Sequence, residues 1–202
     1  ATEIPMVDVS IDVDAGSRWD PANQTGLASM TQAMLARGWK AAAGQPAMNE
    51  GAISEAFAEL AVQRGGSAGL DRASLSLRTL SDADVLKPAV RLMARLMAHP
   101  SFDAQILERE KNRSIASIKE SLTQPQSIAT KALWKSVYGN HPYGQTATPE
   151  SVAAITAKDL EAFHQKYWQP NRMRVTIVGN LTAPQAKALA DALLEFFPKQ
   201  NA

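Results

Sequence analysis

The chain has 202 residues, no cysteine and a formal net charge of +1, with 45% hydrophobic and 20% charged residues. This is the composition of a folded chain with one sizeable core, and it argues against disorder and against a strongly charged partner such as nucleic acid. The missing cysteine excludes disulfides, thiolate metal sites and cysteine nucleophiles, and no run of about eighteen apolar residues is present to span a membrane as a helix.

Residues Met6 to Asp14 alternate strictly. Val7, Val9, Ile11 and Val13 share one side, and Asp8, Ser10, Asp12 and Asp14 the other, which predicts a half-buried strand. The acidic side has two readings, a solvated sheet face and a cation site, of which the first is the ordinary behaviour of an antiparallel sheet. Trp19-Asp20-Pro21-Ala22-Asn23 reads as a turn leading into a helix. Gly26 to Gly38 then has Leu27, Met30, Met34 and Leu35 at helical spacing, with Gly38 placed to stop the helix. Trp39 to Gln45 reads as a small-residue loop. Ile53, Phe57, Leu60 and Ala61 predict a helix over Glu50 to Gln63, ended by Gly65-Gly66, and Gly66 to Leu80 reads as one long strand.

Ser81 caps a predicted helix from Asp82 to Ala98, which His99-Pro100 stops. Ser101-Phe102-Asp103 opens a long helix with Glu108, Arg109, Glu110 and Lys111 on it, a run that ordinarily marks a solvated face with weak ion pairs. Gln124-Pro125 breaks the chain, Ser127 to Tyr138 reads as another helix, and Gly139 to Gly144 as a turn. His164 is expected on the surface of a helix ending at Tyr167-Trp168. Val175 and Ile177 flank Thr176 as in a buried strand, and Thr182 to Phe197 forms an amphipathic helix that Pro198 ends.

Several separated motifs carry a resemblance. Ala15-Gly16-Ser17-Arg18 precedes Gly26-Leu27-Ala28-Ser29-Met30-Thr31-Gln32-Ala33-Met34-Leu35. His141-Pro142-Tyr143-Gly144 follows, and then Tyr167-Trp168-Gln169-Pro170-Asn171-Arg172-Met173 leads to Val178-Gly179-Asn180. In this order they resemble the insulinase/pitrilysin-type zinc peptidases, the family that includes the mitochondrial processing peptidases, and the resemblance covers Met6 to Pro198. In active members the first helix carries His-x-x-Glu-His, the inverted zinc motif. Here those five positions read Ser29, Met30, Thr31, Gln32 and Ala33. Zinc takes imidazole, thiolate or carboxylate; Ser29 is a poor ligand and Ala33 has no donor atom. Gln32 stands in place of the general base, and an amide does not shuttle a proton near pH 7. By the family pattern the third ligand lies seven residues after Glu110, at Ser117. Glu110 matches a glutamate that supports the zinc site without being its principal ligand.

The resemblance implies one α+β domain, residues 1–202, with a mixed or antiparallel sheet and helices packed on one face. It implies a second homologous domain following Ala202, an earlier strand before Met6, and hence a trimmed or mature chain whose true N-terminus is missing. Two such domains form half of a clam-shell, and a degenerate half completes the chamber of a zinc-bearing one. The expectation is therefore a non-catalytic homologue with no metal and no catalytic residue of its own. Zinc would sit only in an active partner, with peptide in the shared chamber. Bacterial two-subunit members point to the periplasm as the compartment. The alternative is a zinc-dependent peptidase domain with an unrecognised metal site, in which His141 and His164 are the first residues to test. Three scattered histidines without an i, i+4 pair give that alternative little support.

Overall fold

The valine-rich strand lies at the heart of the molecule. In the computed structural model, which describes residues 4–42 and 44–198, β1 (Met6–Val13) alternates half-buried and buried residue by residue. β1 pairs antiparallel with β5 (Ala73–Leu80) on one side and with β6 (Met173–Gly179) on the other. β4 (Gln63–Ala68) pairs with β5, so the sheet is fully antiparallel, in the order β4-β5-β1-β6. A second, two-stranded sheet joins β2 (Gly38–Trp39) to β3 (Met48–Asn49).

Val7, Val9, Ile11 and Val13 bury one sheet face against helices, and the same core takes in Leu75, Leu77, Met34, Met93 and Trp168. Burying such side chains stabilises by about 1.5–3 kcal/mol each. The helices are α1 (Leu27–Leu35), α2 (Glu50–Glu59), α3 (Ala83–Ala98), α4 (Ala104–Ser121), α5 (Pro125–Tyr138), α6 (Pro149–Ala153), α7 (Ala157–Tyr167) and α8 (Ala183–Leu193). The opposite sheet face is polar. Asp8 stands opposite Arg78 and pairs with it at 2.6 Å, and Asp12 stands opposite Arg174, so the acidic side of β1 is a charge-balanced solvated face.

Three elements differ from the sequence reading. Gly65-Gly66 does not end α2; that helix stops at Glu59, Ala61 takes the left-handed turn, and both glycines lie inside β4. The long strand over Gly66 to Leu80 is a hairpin, because Gly69-Leu70-Asp71-Arg72 closes on itself through Gly69 N–H to Arg72 O at 2.8 Å. β6 is an edge strand with Val178 56% exposed, so Val175 and Ile177 are only half-buried. The loop after Trp39 makes a bridge from Ala42 to Gln45, with Ala43 outside the described residues, as are Ala1–Glu3 ahead of β1 and Ala202.

Candidate functional site

α1 has six buried residues in nine: Leu27, Ala28, Met30, Thr31, Met34 and Leu35. What remains outward is the stripe Ser29, Gln32, Ala33, at the i, i+3, i+4 spacing that puts side chains on one helical face. The N-cap Gly26, in the left-handed region at φ 108°, has no side-chain cap of its own. Asp20 supplies one from outside the helix. Its carboxylate accepts from Gly26 N–H at 2.7 Å and from Ala28 N–H at 2.8 Å. Asp20 is buried, and that burial, opposed by the N–H groups at the helix start, pushes its pKa up to about 6.

α4 is capped by Asp103, which accepts from Gln105 N–H and Ile106 N–H. Glu110, Ser114 and Ser117 recur at one-turn spacing along it and face α1. Between the two helices lies a cleft of ≈ 500 Å³ that brings together Ser29 and Ala33 from α1 with Glu110 and Ser117 from α4. Its far wall is Ala147 and Val152, and α6 is tied to the start of α1 by Ser151 Oγ–H donating to Thr25 O at 2.8 Å. Ser29 and Ala33, one turn apart on α1, therefore share one cavity with Ser117, far away in the chain on α4.

Arg37 and Arg113 line the same cleft. Arg37 lies one turn beyond Ala33, and Arg113 one turn before Ser117. Arg37 contacts Glu50 in a short ion pair and Glu110 at 3.4 Å. Arg109 contacts Glu50 at 2.7 Å and Glu110 at 2.9 Å. Two guanidinium groups and two carboxylates thus form a closed, charge-balanced square. Burial works to raise the Glu50 pKa, and hydrogen bonds from Arg109 and Arg37 outweigh it and hold that carboxyl below its usual range. The charge run on α4 is therefore more than a solvated face, since Glu110 is 8% exposed and fully engaged.

This donor set does not fit zinc. Two hydroxyls and a methyl stand where the family pattern would place ligands, the one nearby carboxylate is held by two arginines, and a second guanidinium faces the cavity. Among the described residues, no three His, Cys, Asp or Glu side chains converge as a metal site.

Gln32 points out of this cleft toward the hairpin. It lines a smaller cavity of ≈ 220 Å³ with Gly65, Gly66 and Leu75, and its Nε2 lies 3.5 Å from Ser74 O. A Cβ on Gly66 would sit 2.3 Å from that nitrogen, so glycine lets the edge strand β4 run against α1.

The histidines lie apart. His141 is exposed; its Nδ1 accepts from Tyr143 N–H at 3.2 Å and its ring packs edge-on to Tyr143 at 4.6 Å. That loop has a structural task. Tyr143 Oη–H donates to Asp71 at 2.6 Å, and Asp71 also accepts from Arg18, which pairs with Asp14. Contrary to the surface position expected of it, His164 is buried, because it shares the inward face of α7 with Leu160, Phe163 and Tyr167. Its Nε2 is 2.7 Å from Met97 O, and burial pushes its pKa down to about 4. The sequence reading gave no site role to Asp20, Arg37, Arg113 or Gly66. Only the two arginines had a usable signal, their one-turn offsets from Ala33 and Ser117.

Comparison with known proteins gives two family-model matches. Residues 2–150 match the insulinase family, peptidase family M16, and residues 154–202 match the peptidase M16 inactive domain. The non-peptidase homolog YmxG of Helicobacter pylori is 24% identical over 98% of this chain and 45% of its own length. The zinc protease YmxG of Bacillus subtilis is 30% identical over 46% of this chain and 24% of its own. Among solved structures, a peptidase M16 inactive domain from Pseudomonas fluorescens superposes with a TM-score of 0.90 at 36% identity, covering 100% of this chain and 48% of that one. Pitrilysin superposes at 0.81 with 21% identity, over 99% of this chain and 21% of its own, a likeness of fold. The chain spans less than half the length of each of these proteins.

Proposed function

From the premise that the chain belongs to the insulinase family of peptidases, we propose that it is a non-catalytic member, which pairs with a zinc-bearing half and helps to form a peptide-binding chamber. The observation that carries this reading is the cleft between α1 and α4. It joins all three positions where the family pattern places zinc ligands, and it offers Ser29, Ala33 and Ser117 there beside two arginines. The match to an inactive domain and the likeness to a non-peptidase homolog support it. Catalysis in this family needs a metal to polarise the scissile carbonyl and activate water. This chain's residues supply neither the ligands nor, at Gln32, a proton acceptor.

What the fold retains is a scaffold for peptide. β4 is an exposed edge strand beside α1, and an extended segment could add to it through main-chain hydrogen bonds. The test has two parts. The purified chain, incubated with zinc and dialysed, should keep less than about a tenth of an equivalent, where a functional site holds one. A partner carrying His-x-x-Glu-His should co-purify with the chain, and should lose peptidase activity when the chain is withheld. Retention of one zinc, or peptide cleavage by the chain alone, overturns the reading.

A further inference from the structure

We propose that the cleft between α1 and α4 is a carboxylate-binding pocket, in which Arg113 takes the acidic group of a peptide. The inference deepens the reading above by naming the chemistry of that same cleft, and it rests on that reading only for the statement that peptide is what arrives there.

The charges decide it. Arg37 is already matched, since the square it forms with Glu50, Arg109 and Glu110 sums to zero. Arg113, an exposed residue, lines the same cavity and has no carboxylate within 4.0 Å among the described residues, so its guanidinium is left to solvent or to a ligand. Around it, Ser29, Ser114 and Ser117 present hydroxyls that have no hydrogen-bond partner among the described residues. A guanidinium with flanking hydroxyl donors matches the two oxygens of a carboxylate. Met30, Ile118 and Val152 add an apolar wall long enough to cover the methylenes that precede such a group.

The same arrangement disfavours other ligands. A metal cation meets two guanidinium groups. A phosphate dianion brings two negative charges to one free cation, with the Glu110 carboxylate on the adjoining wall. A carboxylate monoanion is matched by Arg113 alone. The cavity of ≈ 500 Å³ has room for an acidic side chain with part of its backbone. Where active relatives hold a metal cation that polarises a peptide carbonyl, this chain offers a side-chain cation at the cleft.

Calorimetric titration of the 202-residue chain tests this. The probes are a short peptide with both termini blocked and one central Glu, the same peptide with Gln, and the Gln peptide with its C-terminal carboxylate free. The Glu peptide should bind at least about tenfold more tightly than its Gln counterpart, a difference of about 1.4 kcal/mol. Arg113→Gln should abolish that preference while leaving the thermal melt unchanged, and Arg113→Lys should keep part of it. Tighter binding of the free-terminus peptide assigns the pocket to a chain end rather than a side chain, and supports the same chemistry. Equal binding of all three peptides overturns the proposal, as does a carboxylate preference that survives Arg113→Gln, tighter binding of inorganic phosphate, or no binding of any peptide. Pairing with an active half is read separately by co-purification, so Arg113→Gln that still co-purifies but has lost the Glu preference separates the two claims.

Discussion

Replacing Asp20 by Asn isolates the effect of one buried carboxylate on stability. Asp20 is 8% exposed and caps α1 through two N–H groups. Its pKa lies at about 6 against an ordinary 3.8. A carboxyl whose folded pKa is raised contributes stability that is complete below its unfolded value and is lost as the pH rises through 6. The gap corresponds to about 3 kcal/mol. His164 acts in the opposite sense. Its pKa is pushed from 6.5 to about 4, so its contribution is present above 6.5 and is lost as the pH falls toward 4. That gap is also worth about 3 kcal/mol. The two slopes oppose each other over the same window, so their sum in the wild type is shallow. Asp20→Asn removes one of them and exposes the histidine slope. Urea denaturation followed by circular dichroism at pH 4, 5, 6 and 7 measures the difference. The stability of wild type relative to Asp20→Asn should fall by about 2.4 kcal/mol between pH 4 and pH 7. A difference that stays constant, or that grows with pH, refutes the reasoning. It would mean that the helix N-terminus stabilises the ionised carboxylate more than burial penalises it.

Three further substitutions test the packing around the site. Gly16→Ala places a Cβ 2.3 Å from Asp71 C and Leu70 O, all backbone of the β4–β5 turn, and should cost about 2–4 kcal/mol in denaturant titration. Arg37→Met leaves Glu110 with Arg109 as its one cation and should cost about 1–3 kcal/mol, with the Glu50 pKa rising toward its ordinary value when followed by carbon-detected NMR. Trp168 is fully buried and its indole N–H has no partner among the described residues, so Trp168→Phe should cost clearly less than Trp168→Ala, which should lose about 3–5 kcal/mol. A phenylalanine variant as damaged as the alanine one would show that the N–H has a partner, such as a buried water.

The strand β1 was legible because its alternation is strict over eight residues and both periods of the chain, two and 3.6, depend on local side-chain direction alone. The Gly65-Gly66 pair misled for a specific reason. Glycine after a helical pattern ordinarily marks a stop, yet here it answers to Gln32, which comes within 2.3 Å of a Cβ on Gly66 from 34 positions earlier in the chain (66 − 32). His164 misled similarly. Its neighbours Phe163 and Tyr167 are apolar, but the carbonyl that makes burial tolerable belongs to Met97, on α3. No local pattern announces a partner supplied by another helix.

By itself, the sequence determined the family, the central strand and most of the helices, and it gave the residue types at the four positions that the family pattern assigns to metal chemistry. Those are properties of single positions and of short periods. The tertiary structure decided what occupies the space instead. It set Ser29, Ala33 and Ser117 around one cleft, tied Arg37 and Arg109 to Glu50 and Glu110, and left the Arg113 guanidinium there to solvent or to a ligand. Charge balance is a sum over groups within a few ångströms, and Glu50, Arg37 and Glu110 become neighbours only when α1, α2 and α4 pack together.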